Sequence, residues 1–243
     1  MKYVMQSLNS GPPFVIDAPI PKVGKNEILI ETQKTLISTG TEKMLINFAQ
    51  SNIINKILKN KSKVSKVINK VKNDGIFEAY EAVNNKLKIP IEMGYCNIGI
   101  VKDLGENVQG FSINDKVISN GGHSEYIAVS EKLCCKIDPS IDDDDAIFSI
   151  LASISLHGIR LSNPTMGEKY CVIGLGLIGV ITSLLLNANG CKVIAIDLNS
   201  NKVKKAKDLG INAIDSSLVK DPKQLCLSFS DDIGLDAAIL CID

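Results

Sequence analysis

The run Tyr170-Cys171-Val172-Ile173-Gly174-Leu175-Gly176-Leu177-Ile178-Gly179, continued by the apolar stretch Val180 to Leu186, decides the fold. It reads as a short apolar strand, a G-x-G-x-x-G turn and an apolar helix. The first glycine permits the tight turn, the second lets a pyrophosphate approach the backbone, and the third lets the helix pack against the strand. Free N–H groups at the positive end of the helix then face the phosphates. A lone G-x-G-x-x-G is weak evidence, so the flanking sequence has to supply the specificity.

It does so with a second strand, Lys192 to Ile196, ending at Asp197. The fingerprint places an acid for the adenosine ribose about 20 residues beyond the glycines. A carboxylate there accepts hydrogen bonds from the ribose hydroxyls and repels an added 2′-phosphate. Each unit pair at roughly 4 Å costs about 1 kcal/mol in water and about 4 at a protein surface. The expected cofactor is therefore NAD rather than NADP, held by Gly174, Gly176, Leu177, Ile178, Gly179 and Asp197. The competing reading makes Asp197 a cap for a helix starting near Ser200.

Beyond Asp197 the pattern predicts a helix over Lys202 to Leu209, a strand over Asn212 to Ile214 and another from Leu235 to Ile242. Strands alternating with helices imply a doubly wound parallel sheet, here C-terminally incomplete because two further strands are missing. Such a truncation predicts binding of the adenosine half of NAD with poor turnover, and an apolar edge inviting a homodimer.

Upstream, Glu27 to Leu36 alternates apolar and polar residues, and Ile98 to Asp103, Lys116 to Ser119 and Ser124 to Val129 read likewise as half-buried strands. The expected class is α/β: a mostly β domain at 1–140, then a Rossmann unit at 141–243. A lysine-rich segment at about 43–88 carries apolar residues at helical spacing and reads as an inserted helical pair. Its basic face is either a solvated surface or a contact for a phosphorylated or nucleotide-linked sugar. Asp142 to Asp145 suit a helix start, where negative charge complements the dipole.

Composition excludes several classes. Among 243 residues, 27 Lys and Arg balance 27 Asp and Glu, so no net field draws the chain to nucleic acid or an acidic membrane. The longest apolar run, Cys171 to Leu186, is broken by three glycines, and Met1 to Gln6 lacks a secretory signal. Seven cysteines, without C-x-x-C spacing, fit reduced thiols in a cytoplasmic protein.

The order of a β domain before a dinucleotide fold resembles the medium-chain dehydrogenase/reductase family of the zinc alcohol dehydrogenase type, with its GroES-like first domain. The stretches that carry the resemblance are Glu27 to Ser38 with Thr39-Gly40-Thr41-Glu42, Met93-Gly94-Tyr95 through Val101, Gly110-Phe111 to Val117, Gly122-His123-Ser124-Glu125-Tyr126 and Gly167 to Gly179. The insert, with the S-T-G-T-E and G-Y-C-N-I-G-I-V segments, looks most like the dehydrogenase half of bidomain oxidoreductases of polysaccharide biosynthesis. That resemblance implies hydride transfer on a small molecule, a sugar or nucleotide-sugar.

The family's zinc chemistry does not carry over. Ser38 stands where the family places its catalytic cysteine, Gly94-Tyr95-Cys96 replaces Gly-His-Glu, and the third ligand region near Ser149 and Ile150 offers no donor. Zinc takes thiolate, imidazole or carboxylate. A phenol of pKa about 10 would cost about 4 kcal/mol to ionise at pH 7. No zinc is expected, and without that Lewis acid a hydroxyl donor must serve. Tyr95 is the candidate general acid, with Ser38 and Thr39 beside it, or else a plug for the vacant metal position. His157 reads as a core residue of an apolar helix, and His123 as a turn residue.

Overall fold

The computed structural model of the protein describes residues 1–9, 11–51 and 89–242. The inserted helical pair therefore lies, beyond residue 51, outside the described residues. The chain divides into two compact units, Met1–Ile147 and Phe148–Asp243.

The first unit is built from antiparallel strands. β1 (Lys2–Gln6), β2 (Phe14–Asp17) and β4 (Ile91–Glu92) form one small sheet in the order β2-β1-β4. β3 (Glu27–Thr35), β5 (Asn97–Leu104), β6 (Lys116–Ser119), β7 (Tyr126–Ser130) and β8 (Cys134–Lys136) form the other, in the order β7-β3-β5-β6-β8. The alternation in β3 and β7 has its predicted effect: Ile28, Ile30, Ile127 and Val129 point to one face and pack with Val101 and Val117. Each such side chain fully withdrawn from water contributes about 1.5–3 kcal/mol. α1 (Thr39–Gln50) leaves the end of β3, and the short α2 (Asp143–Ala146) closes the unit, with Asp142 capping it by accepting the Asp144 N–H. The acid run is thus a helix start.

The second unit opens with α3 (Ser149–Ser162), which ends at Asn163 in a left-handed conformation, φ 48°. β9 (Lys169–Ile173), α4 (Leu177–Ala188), β10 (Lys192–Asp197), α5 (Ser200–Asp208), β11 (Ala213–Asp215), α6 (Pro222–Phe229) and β12 (Ala237–Leu240) follow. All pairings are parallel, in the order β11-β10-β9-β12.

Both faces of this sheet are covered, as a parallel sheet requires. Tyr170, Val172, Val193 and Ala195 pack with Leu186, Val203, Ala206 and Ile159 on one side. Cys171, Ile194 and Ile196 meet Leu225, Cys226 and Phe229 of α6 on the other. Strand order reverses between β9 and β12, and α/β sheets bind ligands at the carboxyl ends of strands at such a point. The loop leaving β9 there is the glycine loop.

His157 is exposed on α3, which corrects the expectation of a core residue. The helix buries Leu151, Ser155 and Ile159 instead, and His157 falls off that stripe. Among the described residues no helix is long and apolar enough to cross a membrane.

Candidate functional site

The glycine loop of the second unit is shaped as its sequence demands. Gly174 sits at φ 99°, where a side chain would strain the turn and press on Ile242 and Cys241. A Cβ at Gly179 would run into the Gly174 carbonyl oxygen, so only glycine lets α4 approach β9 this closely. Gly176 is the opposite case: a Cβ there would meet nothing within 4 Å. Its face is open, and that is the cradle a pyrophosphate would fill. Val180 N–H is bonded to the Gly176 carbonyl at 3.0 Å. The N–H groups of Leu177, Ile178 and Gly179 therefore stand at the unladdered, positive end of α4.

Asp197 closes the other side of this cradle. Its Oδ2 accepts the Leu175 N–H at 2.7 Å and its Oδ1 the Asn199 N–H at 2.8 Å, with the Lys202 Nζ 3.7 Å away. Burial alone would raise the carboxyl, but the two backbone donors and Lys202 outweigh it and hold the group below its usual range. The helix that follows is capped by Asn199, whose side chain accepts from Asn201 and Lys202. Asp197 is therefore not that cap. Each oxygen keeps lone-pair capacity for ribose hydroxyls. Open backbone, free donors and an ionised acid together fit NAD.

The hydroxyls singled out in the first unit lie around the first turn of α1. Tyr95 Oη donates to Ser38 Oγ at 2.7 Å and stands 3.4 Å from Thr41 Oγ1. Ser38 is the N-cap residue of α1, yet its side chain makes no capping bond, because its oxygen serves Tyr95. Thr39 is exposed and does not join this pair; it lines a neighbouring cavity of about 610 Å³.

Two further residues belong to this cluster and were not assigned a role from sequence. Glu42 is buried; its Oε1 accepts the Ser38 N–H at 2.8 Å, and its Oε2 lies 3.1 Å from His123 Nε2. His123 is thus more than a turn residue. The signal was present in the Thr-Gly-Thr-Glu and Gly-His-Ser-Glu-Tyr stretches, but only the fold brings residues 42 and 123 together.

The donors that Ser38, Tyr95 and Cys96 offer are poor ones for zinc. Ser38 and Tyr95 are hydrogen-bonded to each other, and burial, aided by the Glu42 charge, pushes the Cys96 thiol up to about 11. Among the described residues no group of three or more His, Cys, Asp or Glu side chains could hold a metal ion.

Comparison with known proteins supports the fold and the cofactor. A family model described as the NAD-binding domain of the UDP-glucose/GDP-mannose dehydrogenase family matches residues 168–239. The chain is 26% identical over 160 residues to (R,R)-butanediol dehydrogenase of Bacillus subtilis strain 168, covering 54% of this chain and 46% of that protein. It is 24% identical over 258 residues to L-threonine 3-dehydrogenase of Shewanella sp. strain ANA-3, covering 92% of this chain and 66% of that one. The chain thus spans between about half and two thirds of the length of these curated relatives. Among solved structures, alcohol dehydrogenase TADH from Thermus sp. ATN1 superposes with a TM-score of 0.78 at 17% identity, covering 100% of this chain and 70% of that one. The chain therefore has the fold of the medium-chain, zinc-type alcohol-dehydrogenase-like oxidoreductases, a GroES-like β unit followed by an NAD-binding Rossmann unit.

Proposed function

We propose that the chain is an NAD-dependent, zinc-independent oxidoreductase of the medium-chain type, moving hydride to or from a hydroxyl-bearing carbon of a small molecule. The observation that carries this reading is the glycine loop closed by Asp197, with its N–H groups free and its carboxylate ionised. We place the substrate among the sugars or nucleotide-sugars of surface-polysaccharide synthesis. The match of the second unit to a family named for nucleotide-sugar dehydrogenases supports that choice.

In this reading NAD, when bound, supplies the hydride acceptor or donor. Gly174, Gly176, Leu177, Ile178 and Gly179 present backbone N–H groups to the pyrophosphate, and Asp197 holds the adenosine ribose. In the first unit Tyr95, Ser38 and Thr39 supply hydroxyls where a metal would otherwise polarise the substrate oxygen. The second reading, a non-catalytic NAD-binding module, is favoured by one observation: the Tyr95 proton is already given to Ser38, as a plug would give it.

A panel assay separates the two. The chain is incubated with NAD and, in turn, 2,3-butanediol, L-threonine and UDP-glucose, with and without a strong zinc chelator, while NADH is followed by fluorescence. The enzyme reading expects NADH with at least one alcohol, even if slowly, and no effect of the chelator. Cofactor binding with no NADH from any of them would support the module; activity abolished by the chelator would defeat zinc independence.

A further inference from the structure

Five polar residues line the cavity beside α1: Thr35, Thr39, Glu42, Lys43 and His123, with Ile46 and Met93 among its apolar walls. Its volume of about 610 Å³ lies within the range of small-molecule sites, and a mainly apolar wall with a few convergent polar groups is their usual make-up. We propose that the His123 imidazole is the proton acceptor for a substrate hydroxyl in this cavity, with Glu42 as the positioning residue that sets its tautomer. This deepens, and rests on, the alcohol-oxidising reading above.

The hydrogen bonds fix the direction of the proton. A carboxylate offers only acceptors, and one oxygen of Glu42 already takes the Ser38 N–H. Nε2 of His123, 3.1 Å from the other oxygen, must therefore be the nitrogen that carries hydrogen. In the neutral imidazole that leaves Nδ1 with its lone pair. Among the described residues Nδ1 has no hydrogen-bond partner.

The ring is also held from behind. It lies over Gly94, where a Cβ would come within 2.7 Å of both Cε1 and Nδ1. Its own backbone is pinned by His123 N–H to the Met93 carbonyl at 2.7 Å and by its carbonyl to the Val4 N–H at 2.9 Å. The two side chains are 11% and 8% exposed, so little water competes for their bond. This is a base oriented by a third group, the arrangement that general-base catalysis needs.

The step balances. The substrate O–H bond breaks and its proton goes to Nδ1, while the O–H electron pair becomes the second C–O bond. The adjacent C–H bond gives up its electron pair as hydride, for which NAD, held when bound by the glycine loop and Asp197, would be the acceptor. The products are a carbonyl compound, NADH and an imidazolium whose Nε2–H still faces Glu42. In the reverse direction the imidazolium returns the proton.

With only two histidines in the chain, the test is direct. Histidine-labelled protein is studied by long-range proton–nitrogen NMR at neutral pH, the His123 signals being assigned with His157→Gln at an exposed position. We expect the Nε2–H tautomer with a bare Nδ1, and a mixture of tautomers in Glu42→Gln. An Nδ1–H tautomer in the wild-type chain would overturn the proposal. The second arm uses whichever alcohol of the panel turns over. His123→Gln should lower kcat about a hundredfold or more, with KM little changed, and added imidazole should restore part of the rate to His123→Ala. Undiminished kcat in both variants would overturn the assignment of His123 and leave the enzyme reading standing. Absence of any turnover by the wild-type chain would instead overturn that reading.

Discussion

At the scale of single residues, Asp197 and Cys96 show how burial and hydrogen bonding set opposite charge states. Asp197 has a folded pKa below its unfolded value near 3.9, so its contribution to stability is present above about pH 4 and lost as pH falls through the lower folded value. Urea denaturation should therefore show Asp197→Asn narrowing the stability difference between pH 7 and pH 3; an unchanged acid limb would count against its two backbone bonds. Cys96 runs the other way. Its raised value costs nothing below about 8.5, and the folded state loses ground as pH climbs from there towards about 11. At pH 8, iodoacetamide with peptide mapping should find exposed Cys135 alkylated well before buried Cys96 in the folded chain. Early modification of Cys96 would mean a thiolate, and would reopen the question of a metal.

The site was legible residue by residue only where its members are close in sequence. Gly174 to Gly179 and Asp197 could be read from spacing, because a strand, turn, helix and strand place them together without help from the rest of the chain. Tyr95 with Ser38 came from a resemblance, and the partner in the structure is Thr41 rather than Thr39. The Glu42–His123 contact joins positions 81 residues apart and has no local signature. A histidine after two glycines looks like any turn residue until the sheet folds it against α1.

At the scale of elements, strong periodicity read well and short or irregular segments did not. Glu27 to Leu36 became β3, Glu27–Thr35, because apolar residues alternate with polar ones there, and Lys116 to Ser119, with two adjacent β-branched residues, became β6 without change. β1, β2, β4, β8 and α6 were not anticipated. Phe14–Asp17 lies wholly exposed on β2, so no apolar face announces it, and α6 is signalled mainly by Asp221 capping a helix with Pro222 in its first turn. The strand–loop–helix of the cofactor cradle carries its own prediction. Gly179→Ala puts a methyl group against the Gly174 carbonyl, so it should destabilise the unit by about 1–3 kcal/mol and weaken NADH binding at least tenfold. Thermal unfolding and a fluorescence titration measure the two effects; a variant with wild-type stability would show that α4 does not approach β9 as closely as described.

At the scale of the whole molecule, the sequence reading separated a β half from an α/β half, and the structure divides after Ile147. Each unit has its own buried core, Ile28, Ile30 and Val101 in one and Tyr170, Val172 and Leu186 in the other. The order of halves was legible because hydrophobic period two gives way to strands alternating with helices. What no period reveals is the cavity of the first unit, since its lining is gathered from β1, α1 and the segments around Met93 and His123. The central claim, that the second unit is built for NAD, does not depend on the substrate. Titration of the purified chain with NADH and NADPH, followed by nicotinamide fluorescence, tests it most directly. The account predicts NADH binding at least tenfold tighter, because two charges on a 2′-phosphate beside Asp197 cost more than about 1.4 kcal/mol; equal affinities, or a preference for NADPH, would contradict it.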